Sequence, residues 1–123
     1  MTDVPTLAAA RRLLAAGDLS PTGLLDACAA RIAASEPTLR AWITLDLEGA
    51  REQVRRLDPA DREVLPLWGV PVAVKDIIDV AGLPTTAASR ILAGNVAAAD
   101  APAVARLRAA GAVILGKTNT QEF

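Results

Sequence analysis

Apolar positions at Leu7, Ala10, Leu13 and Leu14 recur three and four residues apart, which places them on one helical face. The spacing predicts a first helix over residues 6–16, stopped by Gly17. Ser20 followed by Pro21 gives an N-cap and a proline at the first helical position. Leu24, Leu25, Cys28 and Ile32 then form a second stripe, up to Ser35-Glu36-Pro37. Ala41-Trp42-Ile43-Thr44-Leu45 alternates in the manner of a strand. Residues 47–57 read as a charged helix whose Glu48, Arg51, Glu52, Arg55 and Arg56 form a solvated face. Asp58 to Glu63 is a surface linker.

From Leu65 the pattern changes. Val70-Pro71-Val72-Ala73-Val74 is apolar on both faces, as expected of a strand in the middle of a sheet. After a loop through Gly82-Leu83-Pro84-Thr85-Thr86, Asp100 is expected to cap a helix to about Ala110, with Pro102 in its first turn and Val104 and Leu107 inward. Gly111 ends that helix, and Ala112-Val113-Ile114-Leu115 is a second fully apolar strand. Strand, crossover helix and strand make a parallel unit, so the fold class is α/β. The expected organisation is a helical segment over residues 1–64 and the start of an α/β domain over 65–123.

Composition narrows the chemistry. Thirteen Lys and Arg face fourteen Asp and Glu, for a net charge of -1, so no basic surface is available for nucleic acid. There is no His and one Cys, which excludes Ser-His and Cys-His catalysis, an internal disulfide and a zinc site within these 123 residues. Neither a metal nor another cofactor is expected. Cys28 reads as a small buried hydrophobe. The first eighteen residues carry Asp3 and paired arginines inside the apolar stretch, unlike a signal peptide, and the longest apolar run is broken by Pro66, Gly69 and Pro71. The expectation is a cytoplasmic protein that spans no membrane.

Two lysines stand out. Gly111-Ala112-Val113-Ile114-Leu115-Gly116-Lys117-Thr118 matches the letters of a phosphate-binding P-loop, but the four intervening residues are the apolar strand rather than a loop, so nucleotide binding is rejected. Lys75 emerges from a buried strand and precedes Asp76-Ile77-Ile78-Asp79. Burial there would favour the neutral amine, a base usable near neutral pH, and ligand sites of α/β sheets lie beyond the carboxyl ends of strands. Pairing of Lys75 with Asp76 or Asp79 is the structural alternative.

The run Gly69-Val70-Pro71-Val72-Ala73-Val74-Lys75-Asp76-Ile77-Ile78-Asp79-Val80-Ala81-Gly82-Leu83-Pro84-Thr85-Thr86, then Asp100-Ala101-Pro102-Ala103-Val104, then Gly116-Lys117-Thr118-Asn119 with Glu122-Phe123, closely resembles the amidase signature family. The resemblance implies the N-terminal portion of that fold, with helices leading into a mixed sheet covered by helices on both faces. It also implies amide hydrolysis to acid and ammonia or amine by a Ser-cisSer-Lys triad, in which Lys75 falls on the catalytic lysine. A neutral Lys75 would take a proton through the bridging serine and return it to the departing amine. Lys117 and Thr118 would lie near the sheet edge below the site, with no catalytic role.

The glycine- and serine-rich signature that supplies both serines and the oxyanion hole in that family is not in this sequence, and Ser89 cannot replace it. The chain alone is therefore expected to be inactive. The family implies a small-molecule amide substrate, and either a homodimer or amidotransferase partner subunits. A stand-alone amidase, the A subunit of a tRNA-dependent amidotransferase and a non-catalytic α/β interaction domain all remain open on the sequence. Thr85 and Thr86 read as a structural turn, with a weaker claim to holding the region beyond Lys75.

Overall fold

The computed structural model describes residues 3–123. Helix α1 spans Leu7–Ala16, with the Thr6 side chain accepting from Ala9 N and Gly17 in the left-handed conformation at its end. Helix α2 spans Pro21–Leu39 and starts at the Ser20 cap, as the sequence suggested. It does not stop at Pro37. Three side chains or backbones carry it onward: Ser35 Oγ donates to Arg31 O, Arg40 takes the left-handed cap position, and the Glu36 carboxylate accepts from Ala41 N and Trp42 N. The proline supplies no donor to the helical ladder, and these contacts hold the chain on either side of it.

Strand β1 is Trp42–Leu45, α3 is Leu47–Arg55, and Pro59–Asp61 forms a single 3-10 turn in the linker. Strand β2 is Pro71–Lys75, α4 is Pro102–Ala109 and β3 is Val113–Thr118. The three strands form one mixed sheet in the order β1-β3-β2, with β3 antiparallel to β1 and parallel to β2. Among the described residues β2 is thus an edge strand and β3 the central one, a correction to the expectation that β2 lies inside the sheet. Its apolar character matches the covering layers rather than strands on both sides. One layer is α2 and α3, which close over Leu25, Ala50, Val113 and Leu115. The opposite layer is α4 with the preceding loop, which encloses Val74, Val80, Val104 and Ile114. A third cluster joins Ala10, Leu14 and Leu24 to Trp68 and Val70.

Asp100 does not cap α4, whose N-cap is Ala101 without a side-chain bond. Asp100 is drawn away because its two oxygens are used elsewhere, one accepting from Ala81 N at 2.8 Å and the other pairing with Arg108 Nε at 2.8 Å. Arg108 in turn reaches Gln53 Oε1 at 3.0 Å. Gln53 does more than link helices. Its Oε1 accepts from Ile114 N at 2.8 Å and its Nε2 donates to Ile114 O at 3.0 Å, so a side-chain amide from α3 completes the ladder of β3 where β1 has ended.

Glycine is required at two points. At Gly111 (φ 93°) an added Cβ would lie 2.6 Å from Trp68 Cα, and at Gly116 (φ 148°) it would collide with the Thr44 carbonyl oxygen. Gly116 also marks a bulge. β2 and β3 pair Val72 with Ile114 but Ala73 with Gly116, so one residue of β3 is skipped.

Candidate active site at the carboxyl end of the sheet

The bulge decides which lysine is buried. Strict alternation from Val113 and Leu115 would leave Lys117 on the α2/α3 face. With Leu115 skipped, Lys117 stands opposite Val74, on the α4 side. There its side chain is 0 % exposed and points into the loop that follows β2. Nζ donates to Pro84 O at 3.1 Å and to Thr85 Oγ1 at 3.0 Å. It also lies 3.0 Å from Oδ1 of Asp76, itself 0 % exposed; this is a charge contact, because Oδ1 has no aligned hydrogen-bond donor. The other carboxylate oxygen accepts from Thr86 N at 3.1 Å and from the Thr86 hydroxyl at short range. Burying two charges is tolerated where the pair is matched and its remaining valences are filled, and four groups of the 84–86 loop contribute to that here.

Lys75 is placed differently from the expectation. It ends β2 at the carboxyl edge of the sheet, as the pattern required, but its side chain is exposed in this chain. Among the described residues it forms no ion pair. Pairing of Lys75 with Asp76 is excluded by geometry, since Asp76 turns inward to Lys117 while Lys75 turns outward. Within the described residues the amine is therefore solvated rather than buried. Lys117 likewise is not at the sheet edge; it sits in the central strand and ties β3 to the loop.

The backbone around Lys75 is held tightly. Asp76 N donates to Thr118 O at 3.0 Å, and Ala87 N donates to Asp76 O at 2.9 Å. Ala87 and Ala88 both take positive φ, 48° and 55°, an uncommon conformation for residues with a Cβ. Phe123 N donates to Ala87 O at 3.0 Å, which brings the last residue of the chain beside this turn. Ser89 is buried and its Oγ has no hydrogen-bond partner among the described residues. Ile77 and Phe123 remain largely exposed at this end of the molecule. Of the P-loop letters, Val113 to Thr118 form β3, and the amides of Gly111 and Ala112 donate to Arg108 O and Leu107 O at the end of α4. Cys28 is half-buried, and burial pushes its thiol above the ordinary value. Among the described residues no group of three His, Cys, Asp or Glu is positioned for a metal, and no helix is long and apolar enough to cross a membrane.

The family model described as Amidase matches residues 23–123. The chain belongs to the amidase family. The A subunit of the glutamyl-tRNA(Gln) amidotransferase of Roseiflexus castenholzii is 50% identical over 120 residues, covering 96% of this chain and 24% of that protein. Its namesake from Salinispora arenicola is 46% identical over 128 residues, covering 100% of the chain and 26% of its own length. Among solved amidase-family structures, 6-aminohexanoate cyclic dimer hydrolase superposes with a TM-score of 0.87 at 33% identity, over 99% of this chain and 25% of that one. The peptide amidase of Stenotrophomonas maltophilia does so with a TM-score of 0.77 at 43% identity, over 98% and 25%. The chain therefore spans about a quarter of the length of the relatives it matches. Its mixed α/β architecture is that of the beginning of the amidase fold.

The sequence signal for Lys75 came from its position after an apolar strand. The Asp76–Lys117 pair was missed because the face of Lys117 depends on a bulge that no local pattern announces. The available hint was energetic: a lysine directly following Ile114-Leu115-Gly116 needs a buried anion, and Asp76 was the acid adjoining the parallel strand.

Proposed function

We propose that this chain forms the lysine-bearing part of an amide-cleaving catalytic unit of the kind found in amidotransferase A subunits, in which Lys75 is the general base and acid. The observation that carries this is Lys75 at the carboxyl end of a parallel strand, without an ion pair among the described residues and set in the motif that the family shares. In that role Lys75 accepts a proton from the nucleophilic serine through a bridging serine. The serine oxygen attacks the amide carbonyl, and the proton passes to the departing nitrogen as the carbon–nitrogen bond breaks. Both serines belong to sequence outside these 123 residues, so the chain by itself turns over no amide. When the serine-bearing segments pack over the end of β2, they also supply the cover that Lys75 lacks here.

The amidotransferase reading is preferred over a stand-alone amidase because the curated relatives of that name reach 46–50% identity, against 33–43% for the amidase structures described above. Its substrate would be a small amide whose released ammonia serves partner subunits. The test is a chimera in which residues 1–123 replace the matching quarter of the Roseiflexus castenholzii protein, produced with the subunits it works with. Glutamine-dependent ammonia release is expected from the chimera. Lys75→Met in it should lower the rate by roughly 10²- to 10⁴-fold. A folded chimera that retains full activity with Lys75→Met rules out the role of Lys75, and one active on simple amides without any partner favours the stand-alone amidase.

A further inference from the structure

Asp76 is the acid adjoining Lys75 in the chain, and a carboxylate that close holds a lysine in its charged form and competes for its side chain. In the structure that carboxylate is already taken. Lys117 lies 3.0 Å from Oδ1, Thr86 occupies Oδ2, and both members of the pair are fully buried. We propose that Lys117 is a positioning residue for Lys75: its ammonium neutralises Asp76 and keeps that carboxylate turned inward, so that Lys75 is left without a counter-ion and free to lose its proton. The proposal rests on the reading of Lys75 as the base and extends it to a second lysine that touches no substrate.

Two features support a dedicated arrangement over ordinary packing. Lys117 reaches the α4 side only because the β3 bulge skips Leu115, and its other donors are committed to Pro84 O and Thr85 Oγ1, which aims Nζ at Asp76. Among the described residues neither Asp76 nor Lys117 forms an ion pair with any other residue; Asp79, Arg90, Glu122 and the carboxylate of Phe123 are the other charges on the segments around the pair. Lys117 is thus the cation that answers Asp76.

The chain contains only two lysines, at 75 and 117, so the test needs no turnover. Trace acetylation of the native 123-residue chain with acetic anhydride, read by mass spectrometry against N-acetyl-lysine amide as reference amine, reports how much of Lys75 is free amine. Lys117→Met should lower the Lys75 rate by roughly threefold or more, and Asp76→Asn should raise it by a similar factor. The double variant should return it to within about twofold of the parent. Circular dichroism identifies which variants are folded. If Lys117→Met does not fold, the parent against Asp76→Asn still shows whether the Asp76 charge reaches Lys75, and equal rates there overturn the proposal. Equal Lys75 rates, within about twofold, across the folded variants overturn the proposal. Because acetylation reads charge at Lys75 and the chimera reads catalysis, either idea can fail without the other.

Discussion

Replacing Lys117 by methionine tests the energetics of the buried pair directly. The side chain is of comparable length, so packing changes little, but the Asp76 carboxylate keeps only its Thr86 donors and loses its counter-charge in a site with 0 % exposure. Breaking a buried pair in this way costs about 3–5 kcal/mol. Domains of this size have total stabilities of about 5–15 kcal/mol, so the loss is a large fraction of the whole. At roughly 4 °C per kcal/mol the midpoint should fall by about 12–20 °C. Asp76→Asn combined with Lys117→Met removes both charges and should recover most of that loss, leaving about 1–2 kcal/mol for the unfilled hydrogen bonds. The assay is urea and thermal unfolding followed by circular dichroism on the parent, both single variants and the double. A Lys117→Met loss below about 1 kcal/mol, or a double variant as unstable as the sum of the singles, refutes the view that charge neutralisation holds this loop.

Three further outcomes follow from the packing. Gln53→Ala should cost about 2–4 kcal/mol in urea unfolding, because it removes both side-chain bonds to Ile114 and leaves a strand amide unsatisfied; a loss below about 0.5 kcal/mol would show that water replaces them. Gly116→Ala should abolish a soluble fold, since the new Cβ collides with the Thr44 backbone oxygen, and a Gly116→Ala chain with unchanged near-ultraviolet dichroism contradicts that. Cys28 should react with iodoacetamide more slowly in the native chain than in urea at pH 8. Burial raises its proton affinity in the folded state, so the associated stability is present at neutral pH and is lost as the pH climbs through the folded value. Native and denatured rates that match would place the thiol in solvent.

The helices and strands were legible because each carried its own local signal. Thr6 and Ser20 begin helices with side-chain caps, Gly17 and Gly111 end them, and the two apolar runs became the parallel pair β2 and β3. Long-range choices were not legible. Pro37 stays inside α2 because Glu36 satisfies the chain beyond it, and Asp100 leaves its cap for Ala81 and Arg108. Of the site, the location of Lys75 could be read but not its exposure, which depends on what packs against β2. The burial of Lys117 followed from a one-residue skip in strand pairing, a property of two strands together and invisible in either alone.

The amide of Gln53 gives one helix control over the sheet's exposed ladder. While α3 is formed, Ile114 offers no free donor or acceptor to a passing chain. Should α3 fray, the same motion that releases the glutamine opens a backbone docking point beside Val113 and Leu115, which α3 also covers. Local melting and self-association then become a single event, and solution conditions that weaken this short helix will be registered first as concentration-dependent clumping rather than as reversible loss of helicity.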